Sequence, residues 1–575
     1  MWTPRLTGRG EVTGRGEVTG RGELSGATGE RTLSDAPTES REPTSGTRPG
    51  FWRPRIAWAA GLTVAAAVLF LCYLRAAQTL GGNSDAAGQA LQAWQMWHGN
   101  PLLRGWWLGD VSFYTVELPL NVVIEMIAGL GPGEIHILAA VVYTAVVLLA
   151  ALLARGKTRG WPGIARALLA AGIMLAPSAY LGTRVLLQGP DHAGTMIPVL
   201  AAFLILDRAP ERWWVPVIVG VLLTGAQVND AQATFAGALA VAVACGVRGC
   251  AEIARRRWPP RERWFDASVL AAALVSVAAA HLILSAIHGA GGFLVPPPKN
   301  GVGFAAATAL PGQAWTTVYN VLILFGADFA GQQLGISAVL ALLHLVGVAL
   351  GLAAVCVAVR RFFGRLDRVS QALVAGTLII LGAGAFGMYM APVTGAHEIM
   401  PVLPFAAVLA GRLFGDRLVE LRLEPVLGAG LAVMVAALAY SDAQPTPAPQ
   451  NTTLATWLEA HDLTSGLAGY WESNITTLNT GGRVRLAAVT NGGTTAEPYE
   501  SDATWYDPAQ SQANFIVSLA GSPDVSPVSP ALIRAWYGTP RQVYSFDGYT
   551  VMVYDYNLLT RVTVPAGPWQ GFRPG

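Results

Sequence analysis

Apolar residues along this chain fall in long unbroken runs separated by short polar turns, a pattern that predicts buried helices rather than half-exposed strands. A helix crossing a bilayer needs about 20 apolar residues at roughly 1.5 Å each. Such runs occupy about 56–78, 134–154, 165–182, 193–207, 213–228, 231–248, 266–288, 334–358, 370–391, 399–414 and 425–440, which predicts about eleven transmembrane helices. Residues 313–327 read as a further interfacial or buried helix. Lys and Arg next to membrane spans stay on the cytoplasmic side. Arg48, Arg53 and Arg55 precede the first span, and Arg155, Lys157, Arg159, Arg166 and the stretches RGCAEIARRRWPPRERW and RRFFGRLDR recur at alternate turns. The alternation predicts a cytoplasmic N-terminus, a first outer loop over 80–132, and residues 442–575 on the outer face.

Composition supports this class. The chain is 53% hydrophobic and 13% charged, against about 25% charged in ordinary soluble domains. A polytopic α-helical membrane protein follows, with its membrane domain over 51–441. Residues 1–50 are different: TGRGEV repeats, followed by Gly, Thr, Arg, Glu, Ser and Pro, predict a disordered low-complexity cytoplasmic tail. No apolar stretch before Phe51 suits a cleaved signal peptide. After the Pro-rich linker SDAQPTPAPQ, residues 442–575 read as a small extracytoplasmic α+β domain. Its predicted helices are TLATWLEAHDL, LAGYWESNITTL and SPALIRAWYG, and its strands are RVRLAAV, NFIVSLA and YTVMVYDY. Cys72, Cys245, Cys250 and Cys356 lie in or beside spans and read as packing residues, with neither a disulfide framework nor zinc-ligand spacing.

Ionisable residues gather at the outer ends of the spans. Asp85 follows the first span, and DAAGQALQAWQMWHG then suits an amphipathic helix lying on the membrane surface. Asp110, Tyr114 and Glu117 follow in GDVSFYTVELPL; Arg184, Asp191 and His192 in GTRVLLQGPDHAG; Asn229 and Asp230 in the third turn. Asp328 lies in LFGADFAGQQ, and His397 and Glu398 in VTGAHEIMP. Each alone also reads as a polar helix end with no chemical role. Charge near hydrocarbon is costly unless it is paired or lines a wet cavity, and several converging turns would supply one. The chemistry these residue types suit is group transfer at the lipid–water boundary. A carboxylate accepts a proton from an acceptor hydroxyl. Arg184, Lys299 and His192 are outer-face groups able to steady a leaving phosphate. The aromatic and acidic residues of RGWWLGD and SFYTVE, Tyr114 among them, suit a sugar ring.

The layout NSDAAGQALQAWQMWHGNPLLRGWW…TVELPL places an acid after the first span, then a surface helix, an aromatic segment and a Glu before a Pro-Leu turn. It resembles the GT-C superfamily of integral-membrane glycosyltransferases that use polyprenyl-phosphate sugars. The likeness is to the protein mannosyltransferase and lipid A aminoarabinose transferase group. The resemblance implies an inverting transferase of the plasma membrane, with a polyprenyl-phosphate sugar donor and an extracytoplasmic glycan, lipid or protein acceptor. It implies Asp85 as the base and Glu117 as a residue shaping the sugar and phosphate pocket; Arg184 is assigned to the lipid phosphate on charge and side alone. Two positions depart from the family pattern: Leu118 replaces a basic residue before the Pro, and Asp85 is followed by Ala86 instead of Glu. A transporter or flippase of a lipid-linked precursor and a non-catalytic envelope scaffold are the alternatives. No cofactor is implied outright; a divalent metal held by Asp85, Asp191, His192 and Glu398 stays open. Nucleic acid is not an expected partner.

Overall fold

The computed structural model describes residues 53–189, 191–255, 260–295, 303–364, 366–388 and 390–565. The predicted N-terminal tail over 1–50 and Lys299 lie outside the described residues. The membrane part opens with α1 (Arg53–Ala77), α2 (Ser84–Trp97), a short strand β1 (Trp106–Trp107), α3 (Glu117–Ala128), α4 (Gly133–Arg155), α5 (Gly160–Met174) and α6 (Leu181–Leu187). It continues through α7 (Met196–Arg208), α8 (Trp214–Asn229), α9 (Ala240–Arg255), α10 (Pro260–Gly289), α11 (Leu310–Leu324) and α12 (Ile336–Arg361). It closes with α13 (Arg368–Phe386), α14 (Gly395–Glu398), α15 (Val402–Glu420) and α16 (Glu424–Asp442). Each predicted span holds one of these helices, and α11 covers most of 313–327. By length and composition, 7 helices among the described residues qualify as membrane-crossing, or up to 8 if the bent pair containing α6 and α7 counts as one span. The chain is a multi-pass membrane protein.

At one set of helix ends the charged residues pair with each other. Arg412 bonds Asp207 at 2.5 Å and Asp367 at 2.9 Å, Arg166 pairs with Asp416, and Arg248 and Arg368 share Asp266. These are the turns predicted to be basic and cytoplasmic. Central helix α15 is buried from Val402 to Gly411 and packs on α5. The close approach depends on two glycines one turn apart: a Cβ on Gly411 would come within 2.5 Å of the Arg166 carbonyl oxygen, and one on Gly415 within 2.7 Å of the Arg166 Cα. Small residues at this spacing let helix backbones touch where the surrounding lipid offers no hydrophobic drive to association.

Beyond α16 come α17 (Thr452–Ala460), β2 (Ser465–Ala468), α18 (Tyr470–Asn479), β3 (Arg485–Thr490), β4 (Thr495–Ala496), β5 (Ser501–Asp502), β6 (Phe515–Leu519), α19 (Pro530–Tyr537), β7 (Gln542–Phe546) and β8 (Tyr549–Val553). Six strands form one mixed sheet in the order β4-β3-β2-β6-β8-β7, with β2 parallel to both β3 and β6. The predicted α+β character matches this sheet and its helices. Strands β2 and β7 were not predicted, because SGLA is short and small and QVYSF alternates only weakly.

The sheet is not a separate lobe. β1 of the first loop pairs antiparallel with β5, and Trp106, Trp107 and Phe113 share a core with Leu467, Val489 and Ile516. Arg75 holds the linker by donating to the Gln444 carbonyl and to Thr446 Oγ1, both at 2.7 Å. For the same reason α2 is no exposed surface helix: Ala86 to Ala93 are all buried, between α3 on one side and α18 on the other. Its small Ala and Gly residues are what allow α18 to approach.

Candidate active site

Where the helix turns predicted to be outer meet the C-terminal region they enclose a cavity of about 260 Å³. Its wall is strongly acidic, with Asp85, Asp110, Asp191, Glu398 and Glu500, against one guanidinium, Arg184, and two imidazoles, His192 and His397.

The head of α2 delivers Asp85. Asn83 is the N-cap, its side chain accepting from the Ala86 N–H at 3.0 Å, as a short polar residue before a helix does. Ser84 Oγ donates to the Tyr470 carbonyl at 2.7 Å, tying the start of α2 to the start of α18. Asp85 is thereby set against Tyr470, whose Oη donates to Asp85 Oδ1 at 2.5 Å. Asn83 Nδ2 donates to the other oxygen, Oδ2, at 3.3 Å. Burial pushes the Asp85 carboxyl up to about 7; the Tyr470 bond opposes this, and Asp191 and Asp110 add to it.

The opposite wall is built of carboxylate–histidine pairs. His192 faces Asp230 Oδ2 through Nδ1 at 2.8 Å and Glu398 Oε2 through Nε2 at 3.5 Å. Asp230 is fixed in turn by the Gln232 N–H at 2.8 Å and Thr195 Oγ1 at 3.1 Å. His397 Nδ1 lies 3.2 Å from Asp191 Oδ2. His192 holds the Glu398 carboxyl below its usual range, and burial holds the His397 imidazole low. Arg184 is exposed at the wall and makes no ion pair among the described residues. Phe113, Asp191 and Glu500 line the cavity with φ of 55°, 27° and 44°. Left-handed backbone at non-glycine residues costs about 1–3 kcal/mol each and persists only where surrounding structure imposes it.

The structure therefore gathers Asp85, Asp110, Arg184, Asp191, His192, His397 and Glu398 around one space. It does not bring Glu117 or Tyr114 to that wall. Glu117 is buried one layer behind, its Oε2 accepting from Asn229 Nδ2 at 2.7 Å. Burial pushes its carboxyl up to about 8, so it takes up a proton more readily than an exposed glutamate. Tyr114 donates to the Pro101 carbonyl at 2.9 Å and packs on Phe293. Asp328 is buried away from the cavity. The divalent-metal reading required Asp85, Asp191, His192 and Glu398 to converge. They line one cavity, where His192 and Glu398 face each other while Asp85 faces Tyr470 and Asp191 faces His397, and no set of three or more His, Cys, Asp or Glu among the described residues is arranged to hold a metal ion.

Trp471, Tyr499 and Glu500 come from the C-terminal sheet region and were not anticipated from the sequence. The available signal was the pairing of aromatic and acidic residues in GYWE, within a segment read only as a helix, and in PYES, which carries no assigned element.

No protein-family model matches the chain, and no curated protein matches it by sequence. Solved structures do. ArnT from Cupriavidus metallidurans in the apo state is 15% identical with a TM-score of 0.53, the match covering 89% of this chain and 100% of that one. The same protein bound to undecaprenyl phosphate is 16% identical over 86% of this chain and 98% of that chain, TM-score 0.40. The Archaeoglobus fulgidus oligosaccharyltransferase in complex with Zn and sulfate is 15% identical over 79% and 67%, TM-score 0.44. ArnT is a lipid A aminoarabinose transferase, and both proteins are of the GT-C superfamily. The expectation raised by the first outer loop is met in three dimensions: this chain has the GT-C fold.

Proposed function

We propose that this protein is a membrane glycosyltransferase that moves a sugar from a polyprenyl-phosphate donor to an extracytoplasmic acceptor. The observation that carries the reading is one cavity, at the helix ends predicted to be outer, with the Asp85 carboxyl on one wall and the unpaired Arg184 guanidinium on another. ArnT, whose fold this chain shares, has been solved with undecaprenyl phosphate bound. In the reading, Asp85 takes the acceptor hydroxyl's proton as the acceptor oxygen bonds to the sugar's anomeric carbon. The bond to phosphate breaks on the opposite face, and Arg184 steadies the departing charge. The result is inversion. Asp110, Asp191, His192, His397 and Glu398 form the polar wall against the sugar and acceptor, and the N-terminus is cytoplasmic with residues 442–575 outside.

The test is transfer by the purified protein in liposomes supplied with radiolabelled polyprenyl-phosphate sugars. Label is expected to leave the lipid for an acceptor. Labelled lipid that changes leaflet with its sugar still attached would support a transporter instead. Arg184→Gln is expected to raise the KM for donor by about 10- to 100-fold, the usual worth of one charged hydrogen bond.

The pH dependence follows from Asp85. A base works in its ionised form, so the rate is expected to rise as pH climbs through about 7. Tyr470→Phe removes a bond that favours ionisation and moves this limb to higher pH. Asp110→Asn removes a repelling neighbour and moves it lower. Profiles of kcat/KM measure both, and an acid limb unmoved by either change would count against Asp85 as the base.

A further inference from the structure

The C-terminal sheet does more than cover the cavity. Tyr470 Oη lies 2.5 Å from Asp85 Oδ1 and 3.1 Å from Glu500 Oε2. A phenol carries one proton, so it donates to only one of two carboxylates. With both acids ionised, one short contact would set two negative oxygens around an oxygen with no hydrogen left to give. The contacts are all satisfied when one carboxyl carries a proton and donates it to Oη while Oη donates to the other.

Glu500 is the one placed to carry it. It is buried, at 2% exposure, whereas Asp85 is only partly buried on the cavity wall. Its backbone is fixed in the left-handed region, φ 44°, with its carbonyl accepting from the buried Asn474 Nδ2 at 2.9 Å. Its carboxyl lies against a glycine inside α2: a Cβ at Gly88 would sit 2.6 Å from Oε2. A mid-helix glycine weakens a helix relative to alanine, and here it opens the space the Glu500 carboxyl fills. Asp85, Asp191 and Asp110 all repel charge at Glu500, and burial is the larger influence raising its carboxyl well above the usual range.

We infer that Glu500 is a positioning residue that stays protonated and donates to Tyr470, which donates to Asp85, so that Asp85 is held as the single ionised carboxylate of the three groups with Oδ2 turned to the substrate. This rests on the transferase reading and adds to it the reason the C-terminal region is built into the site. In the transfer step the acceptor O–H bond breaks and its proton goes to Asp85 Oδ2. The acceptor oxygen bonds to the anomeric carbon, and the phosphate leaves with the electron pair of the broken bond. Glu500 and Tyr470 keep their protons throughout.

Two measurements test the inference. The first needs neither donor nor acceptor: infrared difference spectra of wild type against Glu500→Gln at neutral pH. Loss of a protonated-carboxyl stretch is expected; loss of ionised-carboxylate bands instead would overturn the inference whatever the protein transfers. The second compares variants in the liposome assay. A glutamine amide can donate to Tyr470 as a protonated glutamate does, so Glu500→Gln is expected to fall by less than about 10-fold, while Glu500→Ala falls by roughly 100-fold or more with its acid limb moved to higher pH. Gly88→Ala, which crowds the carboxyl without deleting it, is expected to follow Glu500→Ala. Equal losses in Glu500→Gln and Glu500→Ala would show that a charged Glu500 is needed and overturn the assignment. If no variant or wild type transfers sugar, the transferase reading fails while the infrared result still decides the proton.

Discussion

Asp85→Asn is expected to lower kcat for sugar transfer by roughly 10²- to 10⁴-fold, the usual contribution of a positioned general base, with donor KM little changed. The substitution is close to isosteric, and its amide oxygen can still accept from Tyr470, so only the long 3.3 Å bond from Asn83 Nδ2 is lost. What it removes is the ability to take a proton. Glu117→Gln gives the contrast. The Glu117 carboxyl is buried behind the wall and pushed up to about 8, toward its uncharged form, and glutamine keeps its shape and an acceptor oxygen for Asn229. Its loss is expected to stay below about 10-fold. Purified variants assayed at saturating donor separate the two, and an Asp85→Asn enzyme with wild-type kcat would remove the base from the mechanism. The order matters because the first-loop resemblance implies roles for both acids, whereas only Asp85 of the two lines the cavity.

How much could be read beforehand depends on the range of the interaction. Apolar runs and basic turns are local and act through the bilayer, so each predicted span holds a helix, though with ends that differ by several residues and with 7 or up to 8 long and apolar enough to cross among the described residues. The acid at the head of α2 was legible too, since Asn83 and Asp85 form a local helix start. The partners of Asp85 were not, because Tyr470 is 385 residues away along the chain and meets it only in the folded structure. The ranking of the two later first-loop acids also needed the fold. Asp110 and Glu117 look alike in sequence, yet Asp110 lines the cavity while the turn into α3 carries Glu117 inward. That turn is made by a residue whose sequence context gives little sign of it.

Asn229, at the end of α8, is that residue, and Asn229→Ala is expected to be the most destabilising single change at the site. Its Oδ1 accepts from the N–H groups of Thr115 at 3.1 Å and Val116 at 3.0 Å, and from Thr115 Oγ1 at 3.3 Å. Its Nδ2 donates to Glu117 Oε2 at 2.7 Å and to Thr195 Oγ1 at 3.2 Å. Its carbonyl accepts from the N–H groups of Ser112 and Phe113, both at 3.1 Å, which a side-chain substitution leaves in place. The side chain is fully buried, so alanine strands the buried Glu117 oxygen and the half-buried Val116 N–H, while the N–H of exposed Thr115 can turn to water. An orphaned buried group costs about 1–3 kcal/mol, so the loss should reach roughly 2–4 kcal/mol. Thermal unfolding in detergent is expected to show a clear fall in Tm, and activity should fall with it, since residues 110–117 carry one side of the cavity. Asn229→Asp should be milder: its Oδ1 still accepts from Thr115 and Val116, and its Oδ2 faces a carboxyl that burial already makes easier to protonate. A Tm for Asn229→Ala equal to that of wild type would mean the segment is held by its packing, with Trp107 and Phe113 in the shared core, and not by this hydrogen-bonded clamp.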